Sequence, residues 1–176
     1  MPMFRPIVIA PISGLGLSLW EATIPSIPVM LLNASEAEES EAAVALLMHR
    51  AHHISCERVP FQASRGKAVR IGFLKALGSG FTHAVTLEDP FRDSQDLEIL
   101  LRAACNGPET LVETSLKDVR RVWPISLLAD AIGKTPGSLG FEIKLRAQYR
   151  GSVSKIALPG RSEPFSLLER IGGRFL

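Results

Sequence analysis

Apolar residues fall along this chain in short unbroken runs, separated by longer stretches in which they recur at helical spacing. Residues 7 to 10 read IVIA and residues 28 to 32 read PVMLL. Neither run alternates apolar with polar, which is the pattern of a strand covered on both faces. Pro11 is expected to end the first run, and Leu15 to Ala22 has room for a short helix. After the second run, Ser35 is followed three residues on by Glu38, a capping-box signature. Val44, Leu47, Met48 and Ala51 then share a face, which predicts a helix from about 36 to 52.

The alternation continues. Ile54 to Phe61 reads as a strand, and "SRGK" at 64 to 67 opens a helix with Val69, Phe73, Ala76 and Leu77 on one face. Gly78 and Gly80 stop it. His83 to Leu87 is a further strand, and Asp93 or Ser94 caps a helix whose stripe is Leu97, Leu100, Leu101 and Ala104. Strands alternating with helices predict an α/β fold with a mainly parallel sheet, in which ligands sit at the carboxyl ends of the strands. The later part is less regular. "GFEIKLRAQYR" at 140 to 150 places Phe141, Ile143, Leu145 and Ala147 at period two, but Phe141, Leu145 and Tyr149 at helical spacing, so helix and strand both stay open. Ser152 to Leu158 is expected as the last strand. With no internal repeat and no composition break, residues 1–176 are expected to form a single domain.

Composition sharpens this picture modestly. A chain of 176 residues, 46% hydrophobic and 22% charged, can bury one real core. The net charge of +2 comes from mixed charges rather than a long basic block, so nucleic acid is not an expected partner. Cys56 and Cys105 lack zinc or redox spacing, which points to a reduced, cytoplasmic setting. The uncharged stretch from Ile7 to Trp20 is broken by Pro11, Gly14 and Gly16 and falls short of the roughly 20 apolar residues a membrane span needs. No transmembrane segment or export signal is expected.

Several motifs carry chemistry only in outline. Residues 13 to 19 start like a dinucleotide loop, but Leu19 stands where the third glycine is needed, and no acid closes the next strand. "SRGK" lacks the upstream glycine and the following Ser or Thr of a phosphate loop. His49, His52 and His53 could share a helical face, yet no fourth zinc ligand lies nearby, so solvent-facing histidines are expected. The run "GFTHAVTLEDPFRD", residues 80 to 93, is different. It carries a buried strand into Glu88 and Asp89, with Asp93 four residues beyond. Carboxylates past a strand end can hold a hard divalent cation that bridges phosphates; they can equally cap and complement a helix start.

The order of several segments resembles the family-2 glycosyltransferases, in particular the polyprenol-phosphate-sugar-synthase-like branch. "LNAS" at 32 to 35 stands where the family has "DDGS", and 64 to 97 is similar to its "N-x-G-K-G", "GF-x-x-A" and "DADGQHDP" series. "RRVWP" at 120 to 124 resembles "GFRVYP", and "GFEIKLRAQYRGSVSKIALP" at 140 to 159 resembles "GFEIELLVRA" and a strand ending in "VP". The resemblance implies a single-domain glycosyltransferase A-type, Rossmann-like fold and transfer of sugar with inversion from a UDP- or GDP-linked donor. It places Asn33 and Ser35 at the nucleotide, Gly66 and Lys67 in the corner beside it, and Glu88 and Asp89 on Mg2+ or Mn2+ and the diphosphate. Asp93 is the expected catalytic base, with Asp118 and Glu142 as alternatives, Glu142 being expected as an exposed position.

The departures gather at this site. Pro11-Ile12-Ser13-Gly14 replaces the family's "PxYNE", Leu32-Asn33 replaces "DD", and Glu88-Asp89-Pro90 shortens "DAD". The stretch in which the family builds its acceptor site is also much shorter. An intact core with a worn site leaves a second expectation beside weak or full activity: a noncatalytic glycosyltransferase-fold subunit that binds a nucleotide, a protein partner or a second copy of itself.

Overall fold

The structure, a computed structural model, describes residues 3–12, 26–36, 38–61, 63–87, 94–114 and 120–158. These residues form a mixed α/β fold around a seven-stranded, mostly parallel sheet in the order β3-β2-β1-β4-β6-β5-β7. The strands are β1 (Pro6–Ile12), β2 (Val29–Asn33), β3 (Ile54–Arg58), β4 (His83–Thr86), β5 (Leu111–Thr114), β6 (Arg121–Trp123) and β7 (Val153–Ile156). Only β6 runs against its neighbours β4 and β5. The helices are α1 (Glu38–Arg50), α2 (Arg65–Gly78), α3 (Ser94–Asn106), α4 (Ala129–Lys134) and α5 (Phe141–Gln148).

The unbroken apolar runs are explained by two cores, one on each face of the sheet. Ile7, Ile9, Met30, Leu32, Ala84 and Trp123 point to one side, where α2, α4 and α5 supply Val69, Phe73, Ile132, Phe141 and Leu145. Val8, Ala10, Val29, Leu31, Val85 and Val122 point to the other, covered by Val44 and Leu47 of α1 and Leu97 and Leu100 of α3. Every second residue of a central strand thus meets a different helix layer, and both sets must be apolar.

Three expectations need correction, and the choice left open at 140 to 150 is decided. The first strand passes through Pro11, which is in register with Leu32. Val8 donates to Pro28 on the β2 side, and Ile9 accepts from Leu87 on the β4 side, so Pro11 also faces β4. The β1–β4 register ends at Ile9 and Thr86, so the missing N–H of Pro11 removes no ladder bond. The first helix starts at Glu38, because the Ser35 N–H goes to the Asn33 side chain at 2.8 Å and turns the chain before the helix. The third strand stops at Arg58, ahead of Pro60. Residues 141 to 148 are helical: Phe141 and Leu145 are fully buried, whereas Ile143, which a strand would bury with them, is 71% exposed. β5, β6 and α4 were not anticipated. The helix expected at 15 to 22 and the cap at Asp93 lie outside the residues whose placement is described, and Ser94 is the first residue of α3.

One buried titratable group at the amino end of the sheet makes a pH prediction. His83 is 3% exposed. Its Nε2–H donates to the Pro108 carbonyl at 2.8 Å, which leaves Nδ1 to accept from the Thr82 hydroxyl at 2.9 Å. Burial lowers its pKa from the ordinary 6.5, partly countered by the bond to Pro108. The neutral ring therefore stabilises the fold fully above about pH 6.5, and this contribution is lost as the pH falls towards the folded value. The urea midpoint is expected to drop between pH 7.5 and 5.5, and His83→Gln should flatten that drop. An equal drop in both proteins would show that His83 does not cause it.

Candidate functional site

The chain moves outward from β1 to β2 and β3, then returns across β1 to β4, so its winding reverses between β1 and β4. Open α/β sheets bind ligands at such a reversal, beyond the carboxyl ends of the strands. Ile12, Asn33, Arg58, Thr86 and Thr114 end their strands at this edge, and antiparallel β6 starts there with Arg121 opposite Thr86 and Glu113.

Of the residues expected at the nucleotide, four lie among the described residues. Asn33 is 4% exposed, and its Oδ1 accepts the Ser35 N–H. Ser35 is half-buried and lines an open cavity of about 370 Å3 with Glu36, Arg58, Pro60 and Phe61. Gly66 is buried and Lys67 exposed in the first turn of α2, where the Ser64 hydroxyl accepts the Lys67 N–H at 3.2 Å. The Gly66 Cα sits under the turn that starts α5: a Cβ there would run into the Ser138 carbonyl and lie 2.9 Å from the Phe141 Cβ. Glu88, Asp89 and Asp93 lie outside the described residues, as does Asp118. Their entry is described: Thr86 ends β4 in the sheet, and Leu87 still donates to Ile9 at 3.2 Å.

At this strand end the structure corrects one expectation. Glu142 is not an exposed position; its side chain is 17% exposed and reaches the end of β4. The Thr86 hydroxyl donates to Glu142 Oε1 at 2.6 Å, and Arg65 Nε lies 3.4 Å from Oε2. A carboxylate from α5, a guanidinium from α2 and a hydroxyl from β4 thus meet at the end of β4, two residues before Glu88 in the sequence.

A second cluster stands one strand further along. Glu113 Oε1 accepts from Arg121 Nε at 2.8 Å and Arg146 Nε at 2.7 Å. Burial alone would push the Glu113 carboxyl up, but the two guanidiniums outweigh it and hold the pKa below the ordinary 4.5. Arg121 also lies over the Trp123 ring, 5.5 Å from its centroid, and Arg120 pairs with Asp96 at 2.5 Å. Of these residues only Glu113 lies outside the segments that carry the family resemblance. Thr86, Arg65, Glu113 and Arg146 are not singled out individually by any motif, and their placement together follows from register and helix packing.

Other candidates recede. His49, His52 and His53 are exposed, with His49 alone of the three inside α1. Among the described residues no group of three or more His, Cys, Asp or Glu side chains is placed to hold a metal ion. Cys56 and Cys105 are both free thiols. No helix among the described residues is long and apolar enough to cross a membrane.

The sheet order, the reversal beside β1 and the helices on both faces define a Rossmann-like α/β fold. Solved structures share it. A cytidylyltransferase from Leptospira borgpetersenii serovar Hardjo-bovis superposes with a TM-score of 0.59 and 10% identity, over 90% of this chain and 77% of that one. Rv0371c from Mycobacterium tuberculosis H37Rv gives 0.55 and 13% identity over 93% and 92%. HddC from Yersinia pseudotuberculosis gives 0.50 and 8% identity over 88% and 90%. At these identities the likeness shows the fold alone. No family model matches the sequence, and no curated protein sequence does.

Proposed function

We propose that the chain binds a nucleotide sugar along the carboxyl edge of its sheet and transfers the sugar with inversion. The observation that carries this reading is the hydrogen bond from Thr86 to Glu142, across 56 residues of sequence. Two segments that resemble the glycosyltransferase pattern independently, "GFTHAVTLED" and "GFEI", meet through it at the end of β4, just ahead of Glu88 and Asp89 in the sequence. Asn33 and the Gly66–Lys67 corner open on the same edge. One neighbour of the same fold is a cytidylyltransferase by name, which supports a nucleotide there.

The leaving nucleoside diphosphate gathers negative charge as the sugar departs. Adjacent carboxylates past a strand end are a hard-oxygen donor set, and Mg2+ or Mn2+ held by Glu88 and Asp89 would supply the neutralising charge. Lys67, exposed at the start of α2, adds a cation on the diphosphate side. Asp93 and Glu142 are the carboxylates proposed to take a proton from the acceptor; a phosphate acceptor, already anionic, needs neither.

One feature of Glu142 favours a second reading. Its oxygens already meet Thr86 and Arg65, as in a clamp that holds α5 to β4. On that reading the chain binds a nucleotide, or a partner, without turnover. Calorimetric titration with nucleoside diphosphates and their sugars, first with manganese and then with chelator, tests both. Metal-dependent binding of at least one donor is expected, and release of nucleoside diphosphate on incubation separates transfer from binding. Silence across the panel, with and without metal, would overturn the nucleotide site.

A further inference from the structure

Glu113 gathers more positive charge than it neutralises. Thr86 of β4, Arg121 of β6 and Glu113 of β5 stand in one register row, and Lys155 of β7 lies opposite Glu113 on its other side. Ala84, Trp123, Leu111 and Val153, each two residues from its member of the row, pack into the core under α2 and α5, so the row faces that layer. Helix α5 crosses the row. Glu142 in its first turn meets Thr86, and Arg146 one turn later meets Glu113.

Arg121 and Arg146 both donate from Nε, and both to the same oxygen, Glu113 Oε1. Arg121 is fixed further by its position over the Trp123 ring. The terminal nitrogens of the two guanidiniums have no partner among the described residues, and neither has the Lys155 ammonium. Glu142, the nearest other acid in this layer among the described residues, is matched by Arg65. One arginine would neutralise Glu113, so the second arginine and Lys155 are surplus to the ion pair. Arg121 and Arg146 keep 17% and 32% of their side-chain surface in solvent, which gives a ligand access to them.

We propose that Arg121, Arg146 and Lys155 form a phosphate-binding site at the β5 side of the carboxyl edge. Two guanidiniums pinned at Nε hold their terminal donors in fixed forks, the geometry that suits phosphate oxygens. A phosphate dianion also cancels both surplus charges, which a carboxylate or a chloride ion does not. Because β6 separates β5 from β4, strand spacing puts this phosphate roughly 10 Å from the end of β4. The site rests on the arginine geometry alone and stands whether or not a nucleotide binds elsewhere on the edge. Its phosphate belongs either to a nucleotide laid along the edge or to a separate phosphomonoester.

Thermal unfolding of the full chain in potassium phosphate, against potassium chloride at equal ionic strength, tests this. A site of about 1 mM affinity raises the midpoint by roughly 4–7 °C at about 20 mM phosphate, and the rise saturates. General stabilisation by excluded phosphate does not saturate in that range. Arg146→Gln is expected to abolish the saturable rise, and Lys155→Gln, at an exposed position, to weaken phosphate binding about threefold to tenfold. Arg102→Gln, at an exposed arginine of α3, should leave it unchanged. Absence of a saturable rise in the unaltered protein overturns the proposal whether or not the variants fold. So does a rise that Lys155→Gln and a folded Arg146→Gln both leave intact. Titration of UDP, GDP and CDP with and without saturating phosphate assigns the source. Competition makes the phosphate that of a nucleotide, and undiminished nucleotide binding makes it a separate phosphomonoester. A saturable phosphate rise without binding of any nucleotide also assigns a phosphomonoester and overturns only the nucleotide reading.

Discussion

Replacing Glu113 with alanine is expected to destabilise the fold by about 3 kcal/mol, the low end of the range for removing one partner of a buried ion pair. The Glu113 side chain is 8% exposed and is the common acceptor for Arg121 and Arg146. Without it, two guanidiniums at 17% and 32% side-chain exposure face each other across a gap. The partial exposure of Arg146 lets water relieve some of that repulsion, which keeps the effect from the upper end. Because the folded pKa is depressed, the contribution of Glu113 is complete above about pH 4.5 and disappears as the pH falls through the lower folded value. The gap in urea midpoint between the unaltered protein and Glu113→Ala should thus be wide at pH 7 and close in acid. A gap that persists at low pH would mean that lost packing, not lost charge, explains the variant.

The same cluster shows why parts of the fold were legible in the sequence and parts were not. α2 could be read directly: Ser64 caps it, and Val69, Phe73 and Ala76 are its buried face. β1 and β2 could be read because each carries four consecutive apolar residues. β5 and β6, with 4 and 3 residues, are too short for periodicity to register, and their order in the sheet depends on partners far away in sequence. Glu113 reads as a solvent-facing acid until β6 brings Arg121 opposite it and α5 lays Arg146 alongside.

The candidate site divides in the same way. Asn33, Gly66 and Lys67 were marked by resemblance, and each lies at the carboxyl edge. Glu142 stands between Phe141 and Ile143 in "GFEIKLR", where an exposed acid was the natural expectation. What buries it is the placement of Phe141 and Leu145 in the core under α2, which rolls the first turn of α5 towards β4. No pattern within eleven residues contains that information. It resides in the contact between α2 and α5, and that contact depends on one residue without a side chain.

Gly66→Ala tests that dependence and is expected to destabilise the protein by about 2–3 kcal/mol, the usual scale of an overpacked contact. Helix propensity alone predicts the opposite, since alanine is favoured over glycine by about 1 kcal/mol within a helix. The packing wins because the new Cβ would strike the Ser138 carbonyl oxygen, a backbone atom in the turn that starts α5, with the Phe141 Cβ at 2.9 Å. Neither neighbour is the far end of a flexible side chain. Relief requires α5 to move as a unit, which draws Glu142 away from Thr86 and loosens the edge at which the nucleotide is proposed to bind. Gly78→Ala, at the other end of the same helix and with no atom within 4 Å of the added Cβ, is the matched control and should be neutral or slightly stabilising. Thermal unfolding should leave Gly78→Ala at or slightly above the unaltered protein and place Gly66→Ala roughly 5–10 °C below it. Equal stabilisation by both would show that the turn at Ser138 yields freely and that α5 is not held in place by its contact with Gly66.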